Sequence, residues 1–144
     1  MLGERLVAIP VPVVEISVNV VNQMMEHSLI ESPLECCGLL MGDSQKITQL
    51  WKMKNIAKSP IRFEIEPKDL LTFSRYLEKC NLKHLGIYHS HPSSEAYPSQ
   101  TDIAEAYYPE CSYFIISLLR PTDPNIRAFT IVQQIVQEKF IQRF

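Results

Sequence analysis

The chain has 144 residues, 46% of them hydrophobic, and its 14 Lys and Arg against 16 Asp and Glu leave a formal net charge of −2 at pH 7. This composition predicts a single domain over residues 1–144 with its own core, and the near-neutral charge excludes a basic field for nucleic acid. The apolar start shows no signal peptide, and no apolar run approaches the roughly 20 residues of a membrane span, so we expect a cytoplasmic protein.

The first part of the chain predicts a strand, a helix and a hairpin. Residues 11–16 form the expected first strand, and Ser17 then stands where a helix N-cap belongs, ahead of apolar residues at helical spacing. Pro33 marks the end of that helix. The uncharged run 36–41 predicts a buried strand, and the alternating residues 47–53 predict its hairpin partner.

The second part predicts further helices and strands. After a short extended piece at residues 63–65, Pro67 begins a second helix that stops at Asn81. The remaining predicted elements are a strand over 84–91, a third helix over 99–108, and late strands over 113–119, 126–132 and 135–141. Residues 133–143, around the last strand, also fit a helix. The order of elements predicts an α/β or α+β fold.

The chain has four cysteines, Cys36, Cys37, Cys80 and Cys111, and they form no C-x-x-C pair. Adjacent cysteines, such as the first two, rarely make a useful crosslink. We therefore expect buried free thiols that take no part in catalysis.

Two of the four histidines, His89 and His91, lie two residues apart in the segment 86–102. On a strand, alternate side chains share a face, so both histidines point the same way and Ser90 points oppositely. Two neutral imidazoles at this spacing can hold one metal ion, and they suit zinc. We expect Ser90 to pack or to form a hydrogen bond behind the ligands.

Asp102 is the carboxylate that we expect to complete this metal site. Pro92 ends the strand, and the chain can return through Pro98 to begin a helix at Ser99, so the first turn of that helix can face the histidines. Three protein ligands leave the fourth tetrahedral position of zinc to water, as catalytic sites require.

The same residues also have purely structural explanations. An isolated pair of histidines such as His89 and His91 is often only surface or core histidine. Ser99-x-x-Asp102 is also the pattern of a capping box, with Ser99 as the N-cap and Asp102 at the third helical position. The two interpretations are compatible. The ordered combination of both fragments favours a metal site over either structural role alone.

That combination, His-x-His-Pro followed by six residues and Ser-x-x-Asp, matches the JAMM motif of MPN-type metalloproteases at every position from His89 to Asp102. Residues 33–42 resemble the segment of that family that carries an upstream glutamate, here Glu35. The chain therefore resembles the JAMM (MPN+) zinc metalloprotease family over nearly its whole length, and most closely its short prokaryotic members. The resemblance implies a mixed β-sheet flanked by helices, similar to the cytidine-deaminase architecture.

The resemblance also implies a role for each site residue. His89, His91 and Asp102 would bind one zinc ion. Glu35 would act as the general base on the water that the zinc activates, and Ser99 would help to stabilise the tetrahedral intermediate. The reaction so implied is the hydrolysis of an amide bond without a covalent enzyme intermediate.

The identity of the base depends on the resemblance alone. The chain contains twelve glutamates, and spacing does not show which of them reaches the metal-bound water. A local interpretation offers Glu95, in the loop between the ligands, whereas the resemblance selects Glu35. The other two histidines, His27 and His84, are expected to be structural or exposed.

The resemblance also implies the class of substrate. JAMM enzymes cleave peptide or isopeptide bonds after the C-terminal Gly-Gly of ubiquitin or a ubiquitin-like protein. The short members resemble a peptidase that releases cysteine from a ubiquitin-like sulfur carrier. We therefore expect such a carrier, or its cysteine or protein conjugate, as the substrate, with neither nucleic acid nor a membrane as partner.

Two other functions are alternatives to this enzyme. A non-catalytic MPN scaffold would bind partner proteins, although such relatives usually lack the metal ligands. A DNA-associated module of the RadC type shares the elements His-Pro-Ser and Pro-Ser-x-x-Asp, although this chain lacks basic charge. A zinc deaminase would need H-x-E and a distant P-C-x-x-C, and the sequence contains neither.

Overall fold

The structure is a computed structural model that describes residues 11–144. In this range it has seven strands and three helices: β1 (Val13–Ile16), α1 (Val18–Glu31), β2 (Cys37–Asp43), β3 (Lys46–Met53), α2 (Pro67–Cys80), β4 (Lys83–His91), α3 (Gln100–Ala104), β5 (Ser112–Ser117), β6 (Asn125–Val132) and β7 (Ile135–Arg143). The prediction about a signal peptide concerns the start of the chain and lies outside the described residues.

The seven strands form one mixed sheet, which confirms the predicted α/β fold class. The strand order is β1-β3-β2-β4-β5-β6-β7, and β7 pairs in parallel with β1 to close the sheet into a barrel. Strand β4 lies between β2, which is antiparallel to it, and β5, which is parallel. The closure was not predicted, because strand patterns alone do not show which distant strands pair.

The first two helices begin and end where the sequence predicts. The Ser17 side chain accepts a hydrogen bond from the Asn19 amide at 3.2 Å, and α1 ends at Glu31, shortly before Pro33. Helix α2 begins at Pro67 and ends against Asn81, whose left-handed backbone (φ 53°) stops the helix. Both helices therefore follow from local capping chemistry.

The third helix is shorter than predicted. It spans only Gln100–Ala104, not residues 99–108. The Tyr108 amide donates to the Tyr113 hydroxyl at 3.0 Å, so it does not continue a helical ladder. Pro109 follows directly, and the residue before a proline avoids the α region.

The structure also shows the conformation of residues 63–65 and of the last segment, for which the sequence fits either a strand or a helix. Residues 63–65, predicted as a short extended piece, lie in a loop without regular secondary structure, where the Glu64 amide donates to the side chain of Asn55 (3.1 Å). The last segment is strand β7 and not a helix. Gln133 and Gln134 both have positive φ values (49° and 65°), which form the tight turn that returns β7 alongside β6.

Strand β4 is buried on both faces, and each face has its own apolar cluster. Tyr88 packs with Met24 of α1 on one face. Ile87 packs with Phe73 of α2 on the other. Because side chains alternate along a strand, His89 shares the α2 side of β4 with Ile87. This alternation positions the candidate site.

Three of the four cysteines meet the expectation of buried free thiols. Cys36, Cys37 and Cys111 are buried and unpaired, whereas Cys80 is unpaired but exposed on the last turn of α2. The prediction of burial is therefore wrong for Cys80. Among the described residues, no helix has the length and apolar character needed to cross a membrane. The cytoplasmic location stays a prediction.

Substituting Gly38 by alanine should destabilise the fold. A Cβ at this position would lie 2.2 Å from the ring of Tyr88, and that ring cannot move freely because its hydroxyl bonds to His27 Nδ1 at 2.8 Å. Overpacking of a core costs about 1–3 kcal/mol, so Gly38→Ala should lower the free energy of unfolding by that amount in urea denaturation. A change of only a few tenths of a kcal/mol would show that the contact relaxes at little cost.

Candidate metal centre

Strand β4 carries two of the predicted ligands at its end. His89 and His91 are both buried, and their rings lie 4.9 Å apart between centroids. Strand alternation directs both rings to the same face, as the spacing predicts. Ser90 points oppositely, where its hydroxyl accepts the Cys36 amide at 2.8 Å.

The third predicted ligand comes from the first turn of α3. The Asp102 amide donates to Ser99 Oγ at 3.0 Å, and the Ser99 amide donates to Asp102 Oδ2 at 2.9 Å. These two bonds form the predicted capping box. Metal ligation and helix capping therefore do not compete, since the capping box itself aims the carboxylate at the histidines.

The three candidate ligand atoms lie close together. His89 Nε2 is 3.1 Å from His91 Nε2, and Asp102 Oδ2 is 3.1 Å and 3.0 Å from these two nitrogens. Within residues 11–144 this is the group of His, Cys, Asp and Glu side chains whose geometry could hold a metal ion. The structure thus brings together the three residues that the sequence selects.

The mutual contacts control the protonation of these groups. Burial alone would raise the pKa of Asp102, but its hydrogen bonds with His89 and His91 outweigh burial and lower that pKa well below its usual range. Burial would likewise lower the pKa of His91, yet the hydrogen bonds to Asp102 and to the Glu95 carbonyl raise it. Asp102 is therefore a carboxylate at neutral pH and can serve as a ligand.

The tautomer of His91 follows from its second nitrogen. Nδ1 lies 2.7 Å from the carbonyl oxygen of Glu95, which can only accept, so we assign the ring proton to Nδ1. In the neutral ring the Nε2 lone pair then points at His89 Nε2 and Asp102 Oδ2. A lone pair directed at a carboxylate is repulsive unless a proton or a metal cation lies between them. The donor set therefore fits a divalent metal ion.

The ring of His89 is held differently. Phe63 stacks on it with ring centroids 4.7 Å apart and planes tilted by 29°. Its Nδ1 is buried and has no hydrogen-bond partner within the described residues. Stacking thus takes the place of the hydrogen bond that usually orients a histidine ligand.

Glu35 lies just before β2, the strand that neighbours β4 in the sheet. Cys37 pairs with His89 in the antiparallel ladder, so the residue two positions earlier, Glu35, lies beside His91 on the same face. The residue is only 3% exposed, and Oε1 has no hydrogen-bond partner among the described residues. Burial raises the pKa of this carboxyl to about 8, while His91 lowers it and Asp102 raises it.

The other sequence candidates lie outside this arrangement. Glu95 has an exposed side chain, and it contributes its backbone carbonyl to His91. His27 bonds to Tyr88 behind the sheet, and His84 packs between Phe73 and Tyr108. Neither histidine joins the metal centre, in line with the structural roles expected for them.

A cleft of about 400 Å³ opens beside His89 and Asp102. Its walls combine the loop before α2 with the segment after α3, and they are largely apolar. The apolar and aromatic side chains on these walls include Phe63, Ile65, Leu70, Tyr107, Tyr108 and Tyr113. A cleft of this size can accept part of an extended peptide next to the metal centre.

Sequence reasoning missed two residues that shape the site. Phe63 was predicted only as part of a short extended piece, yet it stacks on His89 and lines the cleft. Asn55 lies in a polar loop that carried no motif, yet it is buried and bonds to the backbone of Glu35. No pattern of spacing marks either residue. The one local signal was an aromatic residue within a polar loop.

Comparison with known proteins adds relatives that share most of the chain. The family model for prokaryotic homologs of the JAB domain matches residues 17–132. The CysO-cysteine peptidase of Mycobacterium bovis is 33% identical over 129 residues, which cover 88% of each protein. Desampylase of Haloferax volcanii is 31% identical over 102 residues, which cover 69% of this chain and 73% of that protein. A solution structure from Desulfitobacterium hafniense has a TM-score of 0.81 at 32% identity, covering 92% of both chains.

One divalent metal ion should bind per chain, and the three converging ligand atoms should be required for it. At a free metal concentration 100 times the Kd, binding should stabilise the folded state by about 2.7 kcal/mol, which is measurable as a rise in Tm. His89→Ala should abolish that rise. His84→Ala is the matched control on the same strand and should keep one-to-one binding in calorimetry. Equal metal affinity in the two variants would contradict the assignment of the site.

Proposed function

The chain belongs to the family of prokaryotic homologs of the JAB domain, and we propose that it is a zinc-dependent peptidase or isopeptidase. In this proposal it hydrolyses the amide bond that follows the C-terminal Gly-Gly of a ubiquitin-like protein. The observation that carries the proposal is the convergence of His89, His91 and Asp102 beside the buried carboxyl of Glu35.

His89, His91 and Asp102 would hold one zinc ion. Two imidazole nitrogens and one carboxylate oxygen are common zinc ligands, and a set of three leaves a fourth position for water or substrate. When bound, zinc supplies a Lewis acid that polarises a carbonyl and lowers the pKa of water to about 7. The carbonyl of Glu95, which accepts the Nδ1 proton of His91, supports this ligand from behind.

Glu35 would move the proton in the reaction. Its unpartnered Oε1 would accept a proton from the attacking water and would return that proton to the leaving amine. Burial raises the pKa of this carboxyl to about 8, and a cation at the neighbouring ligands would lower that pKa. A base with a pKa near the working pH can both take and give the proton efficiently.

Ser99 would stabilise the charge that develops on the substrate carbonyl oxygen. Its Oγ accepts the Asp102 amide at 3.0 Å, which fixes the hydroxyl at the edge of the metal centre. The hydroxyl proton has no acceptor in this contact and can donate to the carbonyl oxygen as its negative charge grows. The cap bond thus orients the donor before substrate arrives.

The proposed class of substrate is inferred in part from the relatives of the chain. The names of two of them, a CysO-cysteine peptidase and a desampylase, describe enzymes that remove groups from other molecules. We infer that this chain acts on a ubiquitin-like sulfur-carrier protein or on its cysteine or protein conjugate. A largely apolar cleft beside the ligands provides a surface for the extended end of such a carrier.

The alternative functions have less support. A scaffold that only binds partners does not require three ligand atoms within 3.1 Å of one another, or a buried carboxyl beside them. A DNA-associated module requires positive charge, and the chain has a formal net charge of −2. We therefore propose neither.

The zinc-loaded protein should release free cysteine from a sulfur-carrier protein that bears cysteine after Gly-Gly. Mass spectrometry of the products checks this directly, and a carrier joined to a lysine side chain tests isopeptide cleavage in parallel. The same carrier ending in Ala-Ala-Cys is the matched control and should be cleaved slowly. If the zinc-loaded protein leaves both Gly-Gly substrates intact, the substrate assignment is wrong although the metal site can stand.

Replacing Glu35 by glutamine should abolish turnover while zinc binding persists. The amide cannot accept the proton, and loss of general base catalysis costs roughly 10²- to 10⁴-fold in kcat. Glu95→Gln is the matched control, because the exposed Glu95 side chain lies in the loop between the ligands and its backbone carbonyl is unaffected. If Glu95→Gln loses turnover and Glu35→Gln does not, Glu95 is the base.

A further inference from the structure

We propose that Asn55 is a positioning residue, which holds Glu35, the proposed base, in a fixed position relative to one wall of the cleft. This inference deepens the proposed function and rests on it. Asn55 lies in the loop between β3 and α2, and its side chain is buried, with the residue only 9% exposed. It would act through Glu35 and through the cleft wall, without touching the reacting atoms.

The amide nitrogen of Asn55 donates to the backbone on two sides of the site. Nδ2 lies 3.0 Å from the carbonyl oxygen of Glu35 and 3.0 Å from that of Arg62. The carbonyl oxygen of Ser59 lies 3.5 Å from the same nitrogen, at the upper end of hydrogen-bond distances. An amide nitrogen has two protons, so the two shorter contacts use its full donor capacity. One side chain thus joins the base segment to the loop.

The amide oxygen of Asn55 organises the loop itself. Oδ1 accepts the backbone amides of Ala57 at 3.0 Å and of Glu64 at 3.1 Å. Both lone pairs of this oxygen are therefore used. The oxygen accepts two backbone amides that, in a loop without regular secondary structure, have no neighbouring strand to bond to. Together with the backbone bond from the Ile56 amide to the Glu64 carbonyl, this side chain ties the start of the loop to its end.

The backbone around Glu35 is held on both sides. The Glu35 amide donates to the Ser59 carbonyl at 2.9 Å, and Asn55 bonds to the Glu35 carbonyl. In the next residue, the Cys36 amide donates to Ser90 Oγ at 2.8 Å and the Cys36 carbonyl accepts the Ser90 amide at 3.1 Å. All four backbone groups are thus paired, whereas the carboxyl Oε1 of Glu35 has no hydrogen-bond partner within residues 11–144.

The loop end of this network reaches the metal centre. Arg62 and Glu64, whose backbone groups both bond to Asn55, flank Phe63. Phe63 stacks on His89 and lines the cleft. Movement of the Asn55 amide would therefore shift the base on one side and the cleft wall on the other. Misplacement of a catalytic group by about 1 Å can cost on the order of 10²-fold in rate.

The test compares Asn55→Asp and Asn55→Ala with wild type. Aspartate keeps the shape and the acceptor oxygen but lacks the two donor protons, whereas alanine loses both functions. Asn22→Asp, on the exposed face of α1, is the matched control for the same chemical change. Measured as zinc-loaded protein on the Gly-Gly-Cys carrier at a temperature far below each Tm, kcat should fall about tenfold to a hundredfold in both Asn55 variants. KM should rise, and zinc stoichiometry should stay at one.

Amide hydrogen exchange provides a readout that needs neither zinc nor turnover. The amides of Ala57 and Glu64 bond to Oδ1, so they should stay protected in Asn55→Asp and lose protection in Asn55→Ala. The Glu35 amide donates to the Ser59 carbonyl. Both variants lose the Nδ2 bonds to the Glu35 and Arg62 carbonyls on either side of that contact, so the Glu35 amide should exchange faster in both.

Separate outcomes overturn the two proposals. Variants with a lower Tm but with the wild-type kcat and KM would show that Asn55 only stabilises the fold, which overturns the positioning role. If Asn55→Ala does not fold, Asn55→Asp alone decides by the same criterion. A zinc-loaded wild-type protein that cleaves no Gly-Gly substrate would instead refute the proposed function. Unchanged protection of Ala57 and Glu64 in Asn55→Ala, together with unchanged protection of Glu35 in both variants, would then refute the positioning role of Asn55 as well.

Discussion

A single oxygen atom, Oδ2 of Asp102, joins the end of β4 to the start of α3. It accepts the Ser99 amide at the start of α3 and approaches one nitrogen each of His89 and His91 at the end of β4. The loop between His91 and Ser99 follows a path that begins and ends at groups in contact with this oxygen. That path places the Glu95 carbonyl against His91 and buries Ala96 with Phe129. The geometry of the site therefore depends on this one carboxylate.

The second constraint is the alternation of side chains in the central strands. Strand β4 directs Tyr88 to the α1 side, while Ile87 and His89 face the α2 side. The antiparallel register with β2 then brings Glu35 beside His91. Shifting the register by one residue would turn Glu35 to the opposite face. Gly38 favours the observed register, because a residue without a side chain opposite Tyr88 leaves room for the Tyr88 ring.

Local chemistry made part of this arrangement predictable. Alternation placed His89 and His91 on one face, and capping rules marked both Ser17 and Ser99 as helix starts. Closure of the barrel was not predictable, because it depends on pairing between β1 and β7 across most of the chain. The contacts of Asn55 and Phe63 were equally hidden. Hydrogen bonds from a side chain to a distant backbone follow the fold and leave no periodic pattern in the sequence.

The parallel pairing of β1 with β7 has a consequence for the order of folding. Val13 pairs with Phe140, so β1 gains this neighbour only after nearly all of the described chain has been synthesised. Contacts between such distant segments form slowly, since a long loop must close before any stabilisation is gained. On the ribosome, the residues of the metal centre emerge before the strand that closes the barrel. The strand that completes the barrel is thus the last of the described elements to leave the ribosome, and β1 has no pairing with it until then.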